Sequence, residues 1–414
     1  MPVKIDGLNS RLKADIRLPS SKSISNRALL MNFLTGYPAE LVNLSQADDT
    51  LLLSNILGSL GNEYNSEVII DAGNSGTVLR FLTASLAFRQ GDYILTGSER
   101  MKERPVGPLV DALRGLGCKI EYLEKQGYPP LFISGINQMT KGTISIDGSL
   151  SSQFVSALMM AGTLFEEGLV INLEGKVVSR PYIGLTAEIM RKFGMSVELS
   201  QKGITIKKGR KQESRISVEP DWSSAAFWLS AAIMNRNSNI LLYDLKQDSM
   251  QGDSALIIIG EELGLDFKNI EEGLIATNNG KAPSFFSFDF SDTPDLALPI
   301  ILACAACGVE GEFSGLSSQP LKESDRLVAI EEIVCSLGAG FVKTGEGQWK
   351  LSRRQELPGQ ITVNGRGDHR VVMSAAMLSA AGIGVIVENY YSVSKSYPGF
   401  WEQMRQSGFR VEEL

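Results

Sequence analysis

The sequence predicts an α/β protein of two domains, each built from three copies of one repeating unit. Three observations carry that prediction. The chain has 414 residues, more than one hydrophobic core usually organises. A helical segment rich in small apolar residues recurs six times, at 26–34, 79–88, 154–164, 225–234, 296–307 and 371–381. A second, more charged segment follows each, and each ends on a residue followed by glycine: Leu60-Gly61, Leu116-Gly117, Phe193-Gly194, Leu263-Gly264, Leu337-Gly338 and Ser407-Gly408. A fixed internal order of this kind marks a repeat architecture.

Each part of the unit has its own reason. The first segments are rich in Ala, Ser, Leu and Met on all faces, so they read as buried helices. The second segments carry charges such as Glu188, Lys192, Glu331 and Glu332, so they read as partly exposed helices. A glycine just past a helix supplies the left-handed C-cap. Alternating stretches then follow, as in Cys118-Lys119-Ile120-Glu121-Tyr122, Gly203-Ile204-Thr205-Ile206-Lys207, Phe341-Val342-Lys343 and Trp349-Lys350-Leu351. Alternation at period two is the strand signal. The unit is therefore helix, strand, helix, hairpin, and six units make two groups of three.

Composition narrows the function. Apolar residues are 43% and charged residues 21% of the chain, as in ordinary globular domains. The net charge of −7 argues against a nucleic-acid partner. Any anion site must come from local clusters of Lys and Arg. The N-terminus, MPVKIDGLNSRLKADIRLPSS, holds no continuous apolar core of a signal peptide. The longest apolar run, 296–309, is short for a bilayer and reads as a buried helix. A cytoplasmic protein without a membrane partner is expected. Cys304 and Cys307 form a CxxC, but within the apolar run ILACAACGV, where thiols pack as small hydrophobes. His369 is the only histidine. Multi-histidine metal sites are thereby excluded, and any Ser–His–Asp triad would have to use it.

The residues able to do chemistry gather where helices begin. Lys22, Ser23 and Arg27 open the first apolar helix. Asn74-Ser75-Gly76-Thr77 precedes the second, with Arg80 in its first turns. Arg104 precedes a charged helix. Ser151-Ser152-Gln153, Ser179-Arg180-Pro181-Tyr182, Asp295, Lys322-Glu323-Ser324-Asp325-Arg326 and Asp368-His369-Arg370 open others, and Lys395 precedes the last. Helix N-termini present unpaired N–H groups and a positive dipole end, and they bind phosphate and carboxylate. A cation placed there costs a few tenths to about 1 kcal/mol. Ser and Asp are ordinary N-caps and Pro181 an ordinary first-turn proline. Capping does not account for so many Lys and Arg at these positions in an acidic chain, whereas anionic ligands do. Gly76 allows close backbone approach to a ligand, but no P-loop lysine follows it.

These motifs resemble one family. LPSSKSISNRALL, GNSGTVLRFLTA, RMKERPVGPLVDAL, SSQFVSALMM, VSRPYIGLT, LKESDRL, GDHRVVMSAA and VSKSYPGF are similar to signatures of EPSP synthases, in family order along nearly the whole chain. The resemblance implies a two-domain enolpyruvyl transferase fold, an inverse α/β prism with three βαβαββ units per domain. Domain one would comprise 1–19 and 219–414, domain two 20–218, with the active site in the interdomain cleft. It implies transfer of the enolpyruvyl group of phosphoenolpyruvate to the 5-hydroxyl of shikimate-3-phosphate. No metal or other cofactor is implied, and a monomer is expected.

Carried over by residue, Lys22, Ser23, Arg27, Ser151, Ser152, Gln153, Ser179, Tyr182, Asp295 and Lys322 would hold shikimate-3-phosphate. Lys22, Asn74, Gly76, Thr77, Arg104, Gln153, Arg326, His369, Arg370 and Lys395 would hold phosphoenolpyruvate. Lys22, Asp295 and Glu323 would be catalytic, with Glu323 beside the methylene carbon. Three positions depart from the family pattern: Phe81 in place of a frequent proline, Arg180 in place of a lysine, and Ser318 where some members have asparagine. Gly76 is the residue of glyphosate-sensitive members, so glyphosate is expected to compete with phosphoenolpyruvate. The sister enzyme acting on UDP-N-acetylglucosamine usually carries a reactive cysteine in the loop that reads here Gly97-Ser98-Glu99-Arg100-Met101. A non-catalytic anion-binding paralogue would be expected to have lost one of Lys22, Asp295 and Glu323, and all three are present.

Overall fold

Small apolar residues on every face oblige a helix to be surrounded, and in the computed structural model they are. It describes residues 2–36, 39–60, 67–136, 139–149, 151–209 and 212–414. The chain divides into two compact units, Met1–Ser21 with Glu219–Leu414, and Lys22–Val218.

Strands β1 (Val3–Ile5) and β2 (Lys13–Ile16) open the chain. The Lys22–Val218 unit then runs α1 (Lys22–Thr35), β3 (Glu40–Val42), α2 (Asp48–Leu60), β4 (Val68–Asp71), α3 (Gly76–Leu86), β5 (Gly91–Thr96), α4 (Glu99–Lys102), α5 (Gly107–Gly115), β6 (Lys119–Tyr122), β7 (Leu131–Gly135), β8 (Met139–Asp147), α6 (Ser152–Ala161), β9 (Phe165–Glu174), α7 (Arg180–Lys192), β10 (Met195–Leu199), β11 (Gly203–Lys208) and β12 (Arg215–Ser217). The remaining chain runs α8 (Trp222–Met234), β13 (Asn239–Tyr243), α9 (Leu256–Glu262), β14 (Leu265–Ile270), β15 (Gly273–Asn278), β16 (Phe285–Asp289), α10 (Ala297–Cys307), β17 (Glu310–Ser314), α11 (Arg326–Ser336), β18 (Phe341–Gly345), β19 (Gln348–Leu351), β20 (Gln360–Asn364), α12 (His369–Met377), β21 (Gly384–Glu388), α13 (Phe400–Gln406) and β22 (Val411–Glu413).

The sheets show the repeat directly. Among the described residues five are four-stranded, and each has its first two strands parallel and an antiparallel pair added on the second, as in β4-β5-β7-β6 and β16-β17-β19-β18. In two of them a terminal strand completes the unit: β2 pairs with β13, and β1 lies between β21 and β22. The first repeat differs from the expected unit. Only residues 61–67 separate α2 from β4, whereas 116–138, 193–214, 263–284 and 337–359 occupy the corresponding places and each holds a hairpin. Among the described residues the sheet there is the two-stranded parallel pair β12-β3.

The apolar run near residue 300 is α10, buried from Ala297 to Ala306. Its neighbours α8 and α12 are buried nearly throughout. Each Leu or Ile enclosed there contributes about 1.5–3 kcal/mol by leaving water. The C-terminal carbonyls of these helices are met by side chains. Asn278 Nδ2 donates to Ala232 O and Ile233 O (both 2.9 Å), Arg354 Nε to Ala306 O (2.9 Å), and Asn235 Nδ2 to Ala380 O (3.0 Å). The orphan acceptors of a buried helix end are thus satisfied. Five of the glycines read as caps, Gly117, Gly194, Gly264, Gly338 and Gly408, have φ between 78° and 93°. Gly61 lies outside the described residues.

Candidate active site

The unit of Met1–Ser21 and Glu219–Leu414 gathers acids and cations from successive helix starts. Asp295 lies in a 3-10 turn, Pro294–Leu296, ahead of α10. Its Oδ1 accepts from Arg326 Nη1 (3.0 Å) and Lys322 Nζ (3.3 Å), and its Oδ2 from Arg370 Nη2 (3.1 Å). Glu323 is held from two sides, by Arg326 Nη2 at 3.0 Å and Lys395 Nζ at 3.1 Å. Arg326, first residue of α11 and 1% exposed, therefore spans both carboxylates. Asp368, the N-cap of α12, fixes that guanidinium from behind, through Nε (2.8 Å) and Nη2 (3.2 Å). It also accepts from Ser324 Oγ (3.2 Å) and from the Arg370 backbone (2.9 Å). His369, 1% exposed, has Nδ1 3.8 Å from Asp368 Oδ1.

Electrostatics sort these groups. Burial alone would raise the Asp295 carboxyl, but Arg370, Lys322 and Arg326 outweigh it and hold it well below the ordinary range. Asp368 is likewise lowered, with Arg326 outweighing burial. Burial opposes the charge on Arg326, and Asp368, Glu323 and Asp295 more than offset it. Lys322 is lowered, chiefly by burial. One acid goes the other way. Asp253, in the turn Gly252–Ala255 before α9, is 2% exposed. Burial and then the Asp295 charge push it up to about 6, against the pull of Arg370 and a hydrogen bond from Ser223 Oγ.

The Lys22–Val218 unit gathers a second set. Lys22 opens α1 and pairs with Asp49 at 3.0 Å. Arg27, one turn on and 3% exposed, donates Nε to Thr186 Oγ1 (2.7 Å), Nη1 to Ser23 O (2.9 Å) and Nη2 to Ser156 Oγ (3.2 Å). No carboxylate pairs with it among the described residues. Burial lowers its pKa to about 10, with only Tyr182 acting in the other direction. A buried cation without a counter-ion is costly, and an anionic ligand removes that cost.

Gly76 opens α3 behind the N-cap Ser75. Its α-carbon lies against two guanidinia, for a Cβ built there would stand 2.3 Å from Arg80 Nη1 and 2.7 Å from Arg104 Nη2. Arg80 donates to Gln153 Oε1 (2.7 Å) and Pro105 O (3.2 Å), and Gln153 Nε2 donates to Thr77 Oγ1 (3.3 Å). Arg80, Arg104, Gly76, Thr77 and Gln153 thus form one group, with Asn74 in the preceding turn. Ser151 caps α6, accepting from Gln153 N at 3.2 Å, and Ser152 is its buried first residue. Ser179 caps α7 in a left-handed conformation, φ 54°. The loops before these two helices are joined by Val178 N–H donating to Gly148 O at 3.1 Å. Tyr182, one turn into α7, sets its ring 5.9 Å from the Arg27 guanidinium carbon.

Several contributors have no role in the sequence reading. Asp368 sits beside His369 within a quoted motif, and its value as a guanidinium anchor was open to inference from Gly-Asp-His-Arg. Asp49 reads as an ordinary first-turn acid. Thr186, Ser156 and Asp253 carry no local signal, because tertiary packing alone brings them to Arg27 and Asp295.

Comparison with known proteins bears on family and fold. The family model of EPSP synthase (3-phosphoshikimate 1-carboxyvinyltransferase) matches residues 8–404. A 3-phosphoshikimate 1-carboxyvinyltransferase of Bacteroides fragilis is 38% identical over 407 residues, 97% of each chain. One of Colwellia psychrerythraea is 32% identical over 419 residues, 96% of this chain and 97% of that one. Among solved structures, EPSP synthase from Acinetobacter baumannii superposes with a TM-score of 0.78 at 21% identity, each chain fully covered. The enolpyruvyl transferase NikO from Streptomyces tendae gives 0.73 at 13%, covering 100% of this chain and 98% of that one. These two likenesses establish the enolpyruvyl transferase fold, and the family match with the curated relatives establishes more: the chain belongs to the EPSP synthase family.

Proposed function

We infer that this chain transfers the enolpyruvyl group of phosphoenolpyruvate to the 5-hydroxyl of shikimate-3-phosphate, giving 5-enolpyruvylshikimate-3-phosphate and phosphate, in aromatic amino acid biosynthesis. Beyond family membership, one observation carries the reading: Asp295 and Glu323 share one buried guanidinium while each has its own lysine. The reaction needs two proton-handling groups at different atoms of one complex, and this arrangement supplies two carboxyl groups in a cationic setting.

The steps follow from the chemistry. Glu323, protonated, delivers its proton to the methylene carbon of phosphoenolpyruvate, and the neighbouring carbon becomes electrophilic. The 5-hydroxyl oxygen bonds to that carbon while its proton passes to Asp295, or to Lys22 in its neutral amine form. Asp295 is held as a carboxylate and can accept it. The adduct carries a methyl group, the carboxylate, the phosphate and the new ether. In the second step the carbon–oxygen bond to phosphate breaks, with its electron pair leaving on phosphate. The Glu323 carboxylate takes a methyl proton and the double bond re-forms. The proton held from the hydroxyl leaves with phosphate, so both groups return to their starting states.

Arg104, Arg326, Arg370 and Lys395 hold phosphoenolpyruvate and stabilise charge moving onto phosphate, with the Asn74-Ser75-Gly76-Thr77 turn, Gln153, Lys22 and His369. Lys22, Ser23, Arg27, Ser151, Ser152, Gln153, Ser179, Tyr182, Asp295 and Lys322 hold shikimate-3-phosphate. Glyphosate competes with phosphoenolpyruvate. Among the described residues no helix is long and apolar enough to cross a membrane. Work as a cytoplasmic monomer is part of the same reading and rests on the family resemblance.

The test is phosphate release from phosphoenolpyruvate with shikimate-3-phosphate, with UDP-N-acetylglucosamine, and with neither. Release that requires shikimate-3-phosphate is expected. Release only with the sugar nucleotide, or with no acceptor at all, contradicts the reading.

A further inference from the structure

We propose that Phe81 is a positioning residue for the acceptor substrate, its ring face fixing the Arg27 guanidinium in place while leaving N–H bonds for an anion. The proposal rests on Arg27 meeting the anionic acceptor, as argued above.

Arg27 is gripped in its plane by three neutral acceptors, Thr186 Oγ1, Ser23 O and Ser156 Oγ. A guanidinium has five N–H bonds, so two are left for a ligand. Aromatic rings contact it as well. The Arg27 Cζ lies 5.4 Å from the Phe81 ring centroid and 5.9 Å from that of Tyr182, both within the roughly 6 Å range of a cation–π contact. Phe81 is fully buried, which removes the competing water and strengthens the attraction. A carboxylate would neutralise Arg27 better than a ring, but it would also occupy the N–H bonds an anionic substrate needs. Ring faces offset part of the burial cost and consume no donor.

The position on α3 adds a consequence. Arg80, the preceding residue, holds Gln153 and lies against Gly76. Two consecutive residues of one helix thus brace both anion-binding groups of this unit. A proline at 81 has no π face and cannot do this, and an aliphatic side chain fills the volume without the quadrupole.

The experiment compares wild type with Phe81→Leu, using Phe81→Met as the second aliphatic variant should leucine fail to fold. Each is measured for Tm, kcat, and KM for both substrates, alone and combined with Arg27→Gln. Loss of a buried cation–π contact predicts a rise of about 5–30-fold in KM for shikimate-3-phosphate. KM for phosphoenolpyruvate and kcat stay within about twofold. In the Arg27→Gln background, where the cation is gone, Phe81→Leu adds less than about twofold. An unchanged acceptor KM in a folded variant overturns the proposal. So does an equal rise in both KM values, or an effect that remains fully additive with Arg27→Gln. If the wild type neither binds nor turns over shikimate-3-phosphate, the functional reading itself falls, and the proposal with it.

Discussion

At Gly76 a single added methyl group meets two guanidinia. Its carbon would stand 2.3 Å from Arg80 and 2.7 Å from Arg104, so one or both must move, and with them the hold on phosphoenolpyruvate proposed for Arg104. Losing one charge-assisted hydrogen bond costs about 1.5–3 kcal/mol. Gly76→Ala should therefore raise the KM for phosphoenolpyruvate by about 10-fold or more and weaken glyphosate inhibition in parallel, as steady-state kinetics with both ligands will show. Asp253 makes a different prediction. Its folded pKa of about 6 stands above the ordinary 3.8, so the folded chain binds the proton more tightly than the unfolded one. Stability then falls as pH rises from about 4 to about 6 and stays reduced above that. Asp253→Asn keeps an acceptor for Ser223 and removes the charge. It should raise stability at pH 7.5 by about 3 kcal/mol, read as a higher Tm, and the gain should shrink by pH 4.5. An equal loss of Tm at both pH values contradicts this. Asp295 and Asp368, held low, act with the opposite sign, since their contribution is lost as pH falls below about 4. Ionisable residues at helix starts were legible in the sequence because capping could not account for so many cations. Asp253 was not, because its environment is made by Ser223, Asp295 and Arg370 from three other parts of the chain.

Among the elements, the start of α7 shows how local geometry serves a site. Ser179 adopts φ 54°, a conformation that costs an L-residue about 1–2 kcal/mol, while glycine enters it freely at a penalty of 0.5–1 kcal/mol in the unfolded chain. Ser179→Gly should leave Tm level or slightly raised, yet raise KM for shikimate-3-phosphate by about 10-fold through loss of the hydroxyl. Thermal melts alongside kinetics check both halves, and a level KM would contradict the proposed hold of its hydroxyl on the acceptor, since that hydroxyl makes no cap hydrogen bond. The helices and strands themselves were readable: all-round apolar composition gave the buried segments, and five of the terminal glycines do stand left-handed. The shortened first repeat was visible only as an irregular interval. Among the described residues its sheet is the two-stranded pair β12-β3. Sheet order was not legible either, because β1 and β2 pair with strands more than two hundred residues away, which no local pattern encodes.

As a whole molecule, the acidic chain concentrates cations around two carboxyl groups, and in the mechanism proposed above one of them protonates a carbon and later removes a proton from it. The six-fold recurrence and the family motifs made the architecture and the reaction class readable; the pairing of Asp295 and Glu323 through Arg326 needed the coordinates. The most direct test follows hydrogen at the methylene carbon. Phosphoenolpyruvate and shikimate-3-phosphate are incubated in D2O with wild type and with Glu323→Gln, and deuterium in the enolpyruvyl group is followed by mass spectrometry alongside phosphate release. The account predicts that wild type incorporates deuterium only when the acceptor is present, because the methyl group formed on Glu323's proton transfer loses any of its hydrogens in the second step. It predicts that Glu323→Gln slows incorporation and phosphate release together, by about 10²-fold or more. A folded Glu323→Gln that exchanges and releases phosphate at the wild-type rate, or phosphate release by the wild type with no deuterium at the methylene, would contradict it.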